Sequence, residues 1–205
     1  MPSEAQILDV GFGTGLMMER FFRAGFMNLW GVDRFKSLPG IGNKLGPDRF
    51  FNSFIEDAPL PEGFFDLAVL VHVIEHFDDA RAALRTIKKA LKPGGLIYII
   101  TPDGGSLSRR VFKRNWWFFS DPTHKSFFSP DSLKDLLESE GFRVLGSAKP
   151  LFDSFTSDAH SVLGGQNFPL FFEVLAVFLL SLGFLPLRAT IRNFRPSLEV
   201  IAKLR

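Results

Sequence analysis

A chain of 205 residues, 46% hydrophobic and 22% charged, has enough apolar side chains for one ordinary domain with a buried core, which excludes global disorder. Its formal charge of +2, from 24 basic and 22 acidic residues, lacks the concentrated basic excess of nucleic-acid binders, so no nucleic-acid partner is expected. The absence of cysteine excludes a disulfide framework and a thiolate metal site, and is compatible with a cytoplasmic location.

The first ten residues, MPSEAQILDV, show no basic-then-apolar leader, so the chain is expected to start almost directly on its first strand, Gln6 to Val10. A glycine-rich turn, Gly11 to Gly15, follows it. Leu16 to Ala24 then reads as a helix, with Leu16, Met17, Phe21 and Phe22 spaced for one face and Gly25 placed to end it. Asn28 to Asp33 reads as a second strand. The stretch from Ser37 to Pro47, with two prolines and three glycines, reads as a loop where an α/β unit would place a helix. Arg49 to Ile55 is predicted as a third strand. Phe64 to Val73 is almost continuously apolar, as in a strand covered on both faces. Asp78 to Leu91 has helical periodicity, Lys92-Pro93-Gly94-Gly95 stops it, and Leu96 to Thr101 is the next buried strand. Ser129-Pro130-Asp131 opens a helix running to Glu140, Gly141 caps it, and Phe142 to Ala148 is a strand. After an insertion at 149–196, Leu198 to Leu204 alternates as a closing strand. The alternation predicts a single α/β domain, a Rossmann-like, doubly wound, mostly parallel seven-stranded sheet with an apolar helical insertion before its last strand.

The chemistry concentrates at Asp9-Val10-Gly11-Phe12-Gly13-Thr14-Gly15. Glycines at a strand-to-helix turn let the backbone approach a ligand and adopt positive φ, and the following helix points its positive end to the same place. A dinucleotide fingerprint wants a further glycine at position 16, where this chain has Leu16. The resulting GxGxG fits a nucleoside–amino-acid ligand better than a pyrophosphate. Asp33, in Gly31-Val32-Asp33-Arg34, ends the second strand beside this turn, where a carboxylate accepts both hydroxyls of an adenosine ribose.

These segments resemble the class I S-adenosylmethionine-dependent methyltransferases, near the subgroup of quinone-biosynthesis O-methyltransferases. ILDVGFGTG resembles the family's first motif and GVDRF its acidic second one. FFDLAVLVHVIEHFDDARAALRTIKKALKPGGLIYIITP resembles the strand–helix–strand that follows, and DPTHKSFFSPDSLKDLLESEGFRV the segment before the sixth strand. The resemblance implies S-adenosylmethionine as cofactor and a small or lipid-like methyl acceptor. It implies that Asp9, Gly11, Phe12, Gly13 and Gly15 shape the pocket for the methionine part and that Asp33, with Arg34 next to it, holds the ribose. Glu56 and Asp57 would border the adenine, and His72 and Val73 would lie beside the sulfonium. Two departures stand out: Phe54 takes the place of an adenine-binding acid, and the helices that usually precede the first strand are almost lacking.

Methyl transfer to a hydroxyl calls for a base, and histidine is tuned for that near neutral pH. His76 follows the fourth strand and His124 lies on a loop after the fifth, so both are candidate catalytic residues or, equally, loop-capping side chains. No carboxylate at metal-ligand spacing joins them, so no metal is expected. The run Trp116-Trp117-Phe118-Phe119 reads as core or as the wall of an acceptor pocket. Phe168 to Leu187 carries one charge, Glu173, and Arg188, Arg192 and Arg195 follow it. A bilayer span would strand the closing strand on the wrong side. The readings set ahead of such a span are a buried lid and a peripheral contact, through residues 168–195, with the inner face of a membrane.

Overall fold

The computed structural model describes residues 1–34, 42–151 and 170–205, the side chains of 42, 43 and 170–175 excepted. Seven strands form one sheet: β1 (Ile7–Val10), β2 (Leu29–Val32), β3 (Phe50–Phe51), β4 (Phe65–Val71), β5 (Leu91–Pro102), β6 (Phe142–Ala148) and β7 (Ser197–Leu204). Their order is β3-β2-β1-β4-β5-β7-β6. The first five pair in parallel, and β7 runs antiparallel to both neighbours. This is the doubly wound, mostly parallel sheet expected, with the strand order reversing between β1 and β4. Ligand crevices form at such a reversal, outside the carboxyl ends of the strands.

The central strands are buried because they are apolar on both faces. All of β1 is buried, and Leu67 to Leu70 of β4 are at most 7% exposed. Helices α1 (Leu16–Arg23) and α2 (Gly42–Leu45) cover one face, where Ile7, Phe12, Met18, Leu29, Leu45 and Val69 pack together. Helices α3 (Ala80–Ala90) and α5 (Pro130–Ser139) cover the other. In α3 the buried residues are Ala83, Leu84, Ile87 and Ala90, the spacing of one helical stripe. Asp79 caps α3 by accepting hydrogen bonds from the backbone N–H of Arg81 and Ala82. Ser129 and Ser132 cap α5 reciprocally, with Pro130 at its first position. Glu140, at the end of α5, accepts from Arg81 at 3.1 Å and Arg85 at 3.0 Å, tying the two helices.

Several expectations are corrected. The loop read from Ser37 to Pro47 includes the one-turn helix α2; residues 35–41 lie outside the described residues. The third strand keeps only Phe50 and Phe51, because Ile55 turns into a 3₁₀ turn (Ile55–Asp57) that buries its side chain. The segment Lys92 to Gly95 belongs to β5, which starts where α3 ends. A short helix, α4 (Leu107–Phe112), was not anticipated. The insertion carries helix α6 (Leu170–Thr190), and residues 152–169 lie outside the described residues.

Candidate active site

The turn after β1 has left-handed backbone at Gly11 (φ 71°), Gly13 (φ 50°) and Gly15 (φ 79°), which a side chain would strain. A Cβ on Gly11 would also lie 2.3 Å from Cγ2 of Val73, so the turn and the end of β4 are in contact through a missing side chain. Across the strand gap, the Gly13 N–H donates to Oδ2 of Asp33 at 2.8 Å. The acid that ends β2 is thus held against the turn, as expected. Arg34 is exposed, its guanidinium 4.8 Å from the Phe54 ring, and Asn52 donates to the carbonyls of Asp33 and Arg34.

Asp9 is 3% exposed, and its Oδ2 has no hydrogen-bond partner among the described residues. Burial, and secondarily the charge of Asp33, pushes its carboxyl up to about 7. An orphaned acid beneath a glycine turn is the complement of a cationic ligand. With the acid at Asp33 placed for hydroxyls and the close approach at Gly11, the turn fits S-adenosylmethionine, whose ammonium and ribose need those two groups.

The remaining expected residues divide. The Phe12 side chain is 6% exposed and turns into the core, edge-on to Phe50 at 5.8 Å, so only its backbone is left for a ligand. Glu56 and Asp57 are exposed on the 3₁₀ turn after β3, on the Asp33 side of the crevice. Val73 lies against Gly11. His72 ends β4 with φ 54°, a strained value for a residue with a side chain; its Nδ1 is 3.3 Å from Oε1 of Glu75 and its ring stacks on Phe118.

His76 and His124 come together, with ring centroids 4.6 Å apart. Nδ1 of His124 is 2.6 Å from the Phe118 carbonyl, an acceptor only, so Nδ1 carries the proton and Nε2 the lone pair. Nδ1 of His76 is 3.2 Å from the Thr123 carbonyl and 2.9 Å from its hydroxyl, which assigns the same tautomer. The Thr123 hydroxyl donates to Asp121 at 2.6 Å and is the leading reason that carboxyl sits below its usual range. Oδ2 of Asp121 is 3.9 Å from Nε2 of His124.

Sequence reasoning missed Glu75. It is fully buried, accepts from Thr101 at 2.9 Å, and its backbone carbonyl accepts the N–H groups of Lys125 and Ser126. Those backbone bonds draw the loop carrying His124 over the end of β4. Ligand atoms of Glu75, His76 and His124 all lie within 4.8 Å of one another, so the carboxylate that spacing did not reveal is the residue next to His76. The expectation of no metal rested on its absence; this set could hold a divalent cation. His72, His76, Trp117, Phe118, Ser120, Asp121 and His124 line one depression of about 260 Å³. The aromatic run splits: Trp116 and Phe118 are core, while Trp117 and Phe119 are 41% exposed. A larger depression of about 450 Å³, lined by Gly94, Arg143, Lys203, Leu204 and Arg205, lies at the opposite end of the sheet, away from these groups.

A parallel sheet closed by an antiparallel strand pair, a GxGxG turn over an orphaned acid, and a second acid at the end of the neighbouring strand β2 are the features of the class I S-adenosylmethionine-dependent methyltransferases. Residues 1–146 match the family described as a methyltransferase domain, and the chain belongs to it. It is 34% identical to the ubiquinone biosynthesis O-methyltransferase of Caulobacter vibrioides over 68% of this chain and 60% of that protein. It is 30% identical to the O-methyltransferase rstn1 of Aspergillus nomiae, over 68% of this chain and 65% of the relative. The C-methyltransferase NovU of Streptomyces niveus is 28% identical over 75% of this chain and 35% of its own length. The chain thus spans less than two thirds of each of these relatives. Among solved structures, an S-adenosylmethionine-dependent methyltransferase from Mesorhizobium loti superposes with a TM-score of 0.66 at 17% identity, covering 99% of this chain and 93% of that one.

Proposed function

We propose that the protein transfers the methyl group of S-adenosylmethionine to a hydroxyl oxygen of a small, lipid-like acceptor. The observation that carries this reading is the depression that starts at His72, next to the Val73 that lies against Gly11, and that has both His76 and His124 in its lining with their Nδ1 atoms engaged elsewhere. The cofactor supplies an electrophilic methyl on a positively charged sulfur. With the cofactor bound at the turn by Asp9 and Asp33, methylation of the acceptor oxygen would release a neutral sulfide, and Nε2 of His124 or His76 would take the hydroxyl proton. Asp121 then faces the imidazolium. Trp117 gives an apolar acceptor its contact area, and Phe118, stacked on His72 from the core side, backs the lining. Relatives named as O-methyltransferases support oxygen as the acceptor atom, and one named as a C-methyltransferase keeps carbon as the other arm of the test. We further propose a cytoplasmic enzyme in peripheral contact with the inner face of a membrane through the insertion.

The test is product formation from phenolic and carbon-acid acceptors presented in lipid extract. His124→Ala and His76→Ala should each lower kcat by about 10²-fold or more on hydroxyl acceptors, with S-adenosylmethionine affinity unchanged. Full activity in both variants would remove the imidazoles from the mechanism.

A further inference from the structure

We infer that the depression of about 450 Å³ at the end of the sheet away from the glycine turn is a second binding site, for a small soluble phosphomonoester such as a sugar phosphate. It stands independently of the methyl-transfer reading.

Three exposed cations crowd one face of the sheet there. Arg143 of β6 and Lys203 of β7 are directly opposite in the antiparallel register, which sets their Cβ atoms about 4.5–5.5 Å apart. Arg205 follows Lys203 by two positions and so shares its face. Its backbone N–H donates to the Gly141 carbonyl at 3.1 Å, which holds it in line with the start of β6. Gly94, at φ 77°, makes the room: a Cβ there would lie 3.1 Å from Cε and 3.7 Å from Nζ of Lys203. Leu204 completes the lining.

Like charges placed directly opposite on a sheet destabilise it, so the arrangement calls for an anion. No carboxylate side chain lines the depression, and none of the three cations forms an ion pair among the described residues. The acids close to them in sequence or in the sheet are engaged or turned elsewhere. Glu140 is taken by Arg81 and Arg85, and Asp66 by Lys92 at 2.8 Å. Glu199 stands further back along β7, opposite Ile100 and Ala148. A single carboxylate offers two oxygens to three cations. A terminal phosphate carries a charge of about −1.5 to −2 and three acceptor oxygens, one for each cation, and guanidinium forks match it in geometry. The volume lies within the range of small-molecule sites, about 300–1,000 Å³, and leaves space beside the phosphate for an organic body. Bound there, the ligand offsets the repulsion between β6 and β7, the strand pair that closes the sheet.

The experiment is titration of the full chain, by calorimetry and thermal melts, with ribose 5-phosphate and in parallel inorganic phosphate, against sodium chloride at matched ionic strength. Ribose 5-phosphate is expected to bind saturably and to raise Tm above the chloride control. Arg143→Gln and Lys203→Gln should each weaken that binding at least tenfold, through one lost charge-assisted contact apiece. In chloride alone each variant should melt no lower than the intact protein, because it removes one member of a like-charge pair. Each should also bind S-adenosylmethionine as the intact protein does, which shows that it is folded. No saturable binding, a Tm rise equalled by chloride, or affinity retained in both variants would each overturn the site. Competition between ribose 5-phosphate and S-adenosylmethionine would do the same, by placing the sugar phosphate in the cofactor crevice. Uptake of inorganic phosphate with ribose 5-phosphate excluded would overturn the organic ligand.

Discussion

At the scale of single residues, two carboxylates on either side of the glycine turn, Asp9 and Asp33, divide its work because their surroundings differ. Asp33 is partly exposed and already accepts one backbone N–H, so it stays ready for hydroxyl donors. Charge-assisted hydrogen bonds of that type contribute about 1.5–3 kcal/mol each, so Asp33→Ala should weaken S-adenosylmethionine binding by at least tenfold in calorimetry. Asp9 instead titrates near 7 because burial, and then Asp33, disfavours its charge. The unfolded carboxyl ionises near 3.8, so between these values the folded protein holds a proton that the unfolded chain has lost. Stability is therefore fully present at acid pH and falls as pH rises from about 4 to about 7. Asp9→Asn should flatten the fall in Tm between those limits. A cationic ligand favours the carboxylate, so cofactor affinity should rise with pH through this window, with a proton released into the buffer. Affinity independent of pH would separate Asp9 from the ligand.

Among the elements, the tie between α3 and α5 is the one whose contribution can be isolated. Glu140 is 7% exposed, and the guanidinium of Arg85 first, then that of Arg81, holds its carboxyl below the usual range. Such a group stabilises above the unfolded carboxylate's titration and ceases to as pH falls through its own. Because both arginines are more than half exposed, solvent screens the pair, and Glu140→Gln should lower stability by about 1 kcal/mol at neutral pH in denaturant melts, with little difference in strong acid. The elements most legible in the sequence were β1, β4, α3 and α5, where unbroken apolar runs or caps such as Asp79 and Ser129 speak locally. The glycine turn and Asp33 were legible for the same reason: strand, turn and acid are close in sequence. Helix α4 was not, because six residues with two cations carry no periodicity. Glu75 was not, because its role depends on a loop from 121 to 126 folding back on it through two backbone hydrogen bonds. At Phe12 the motif position is set by the backbone, while the ring follows the core, a division that the sequence alone does not show.

For the whole molecule, the insertion sits between two strands that are adjacent in the sheet. Ala148 pairs with Glu199, so the strand ends it connects are already neighbours. A hairpin of a few residues can join such ends, and replacing residues 150–195 by a short Gly/Ser linker should leave S-adenosylmethionine binding intact. Loss of binding would show that Phe194 and Arg195, which bonds the carbonyls of Lys149 and Arg188, brace the sheet and not only the insertion.

The same connectivity has a kinetic consequence. Strand β7 fills the slot between β5 and β6, pairing Leu96 with Lys203 and Phe142 with Leu204. Until it arrives, β5 has an unpaired edge and β6 no place in the sheet. The pairing of β7 with β5 joins residues about a hundred positions apart in the chain, from Pro102 with Ser197 to Leu96 with Lys203, so loop-closure entropy makes it a late step in refolding. In that interval the long apolar edge of β5 is a template for strands of other chains, and refolding yield should fall with protein concentration well before the native state shows any tendency to associate.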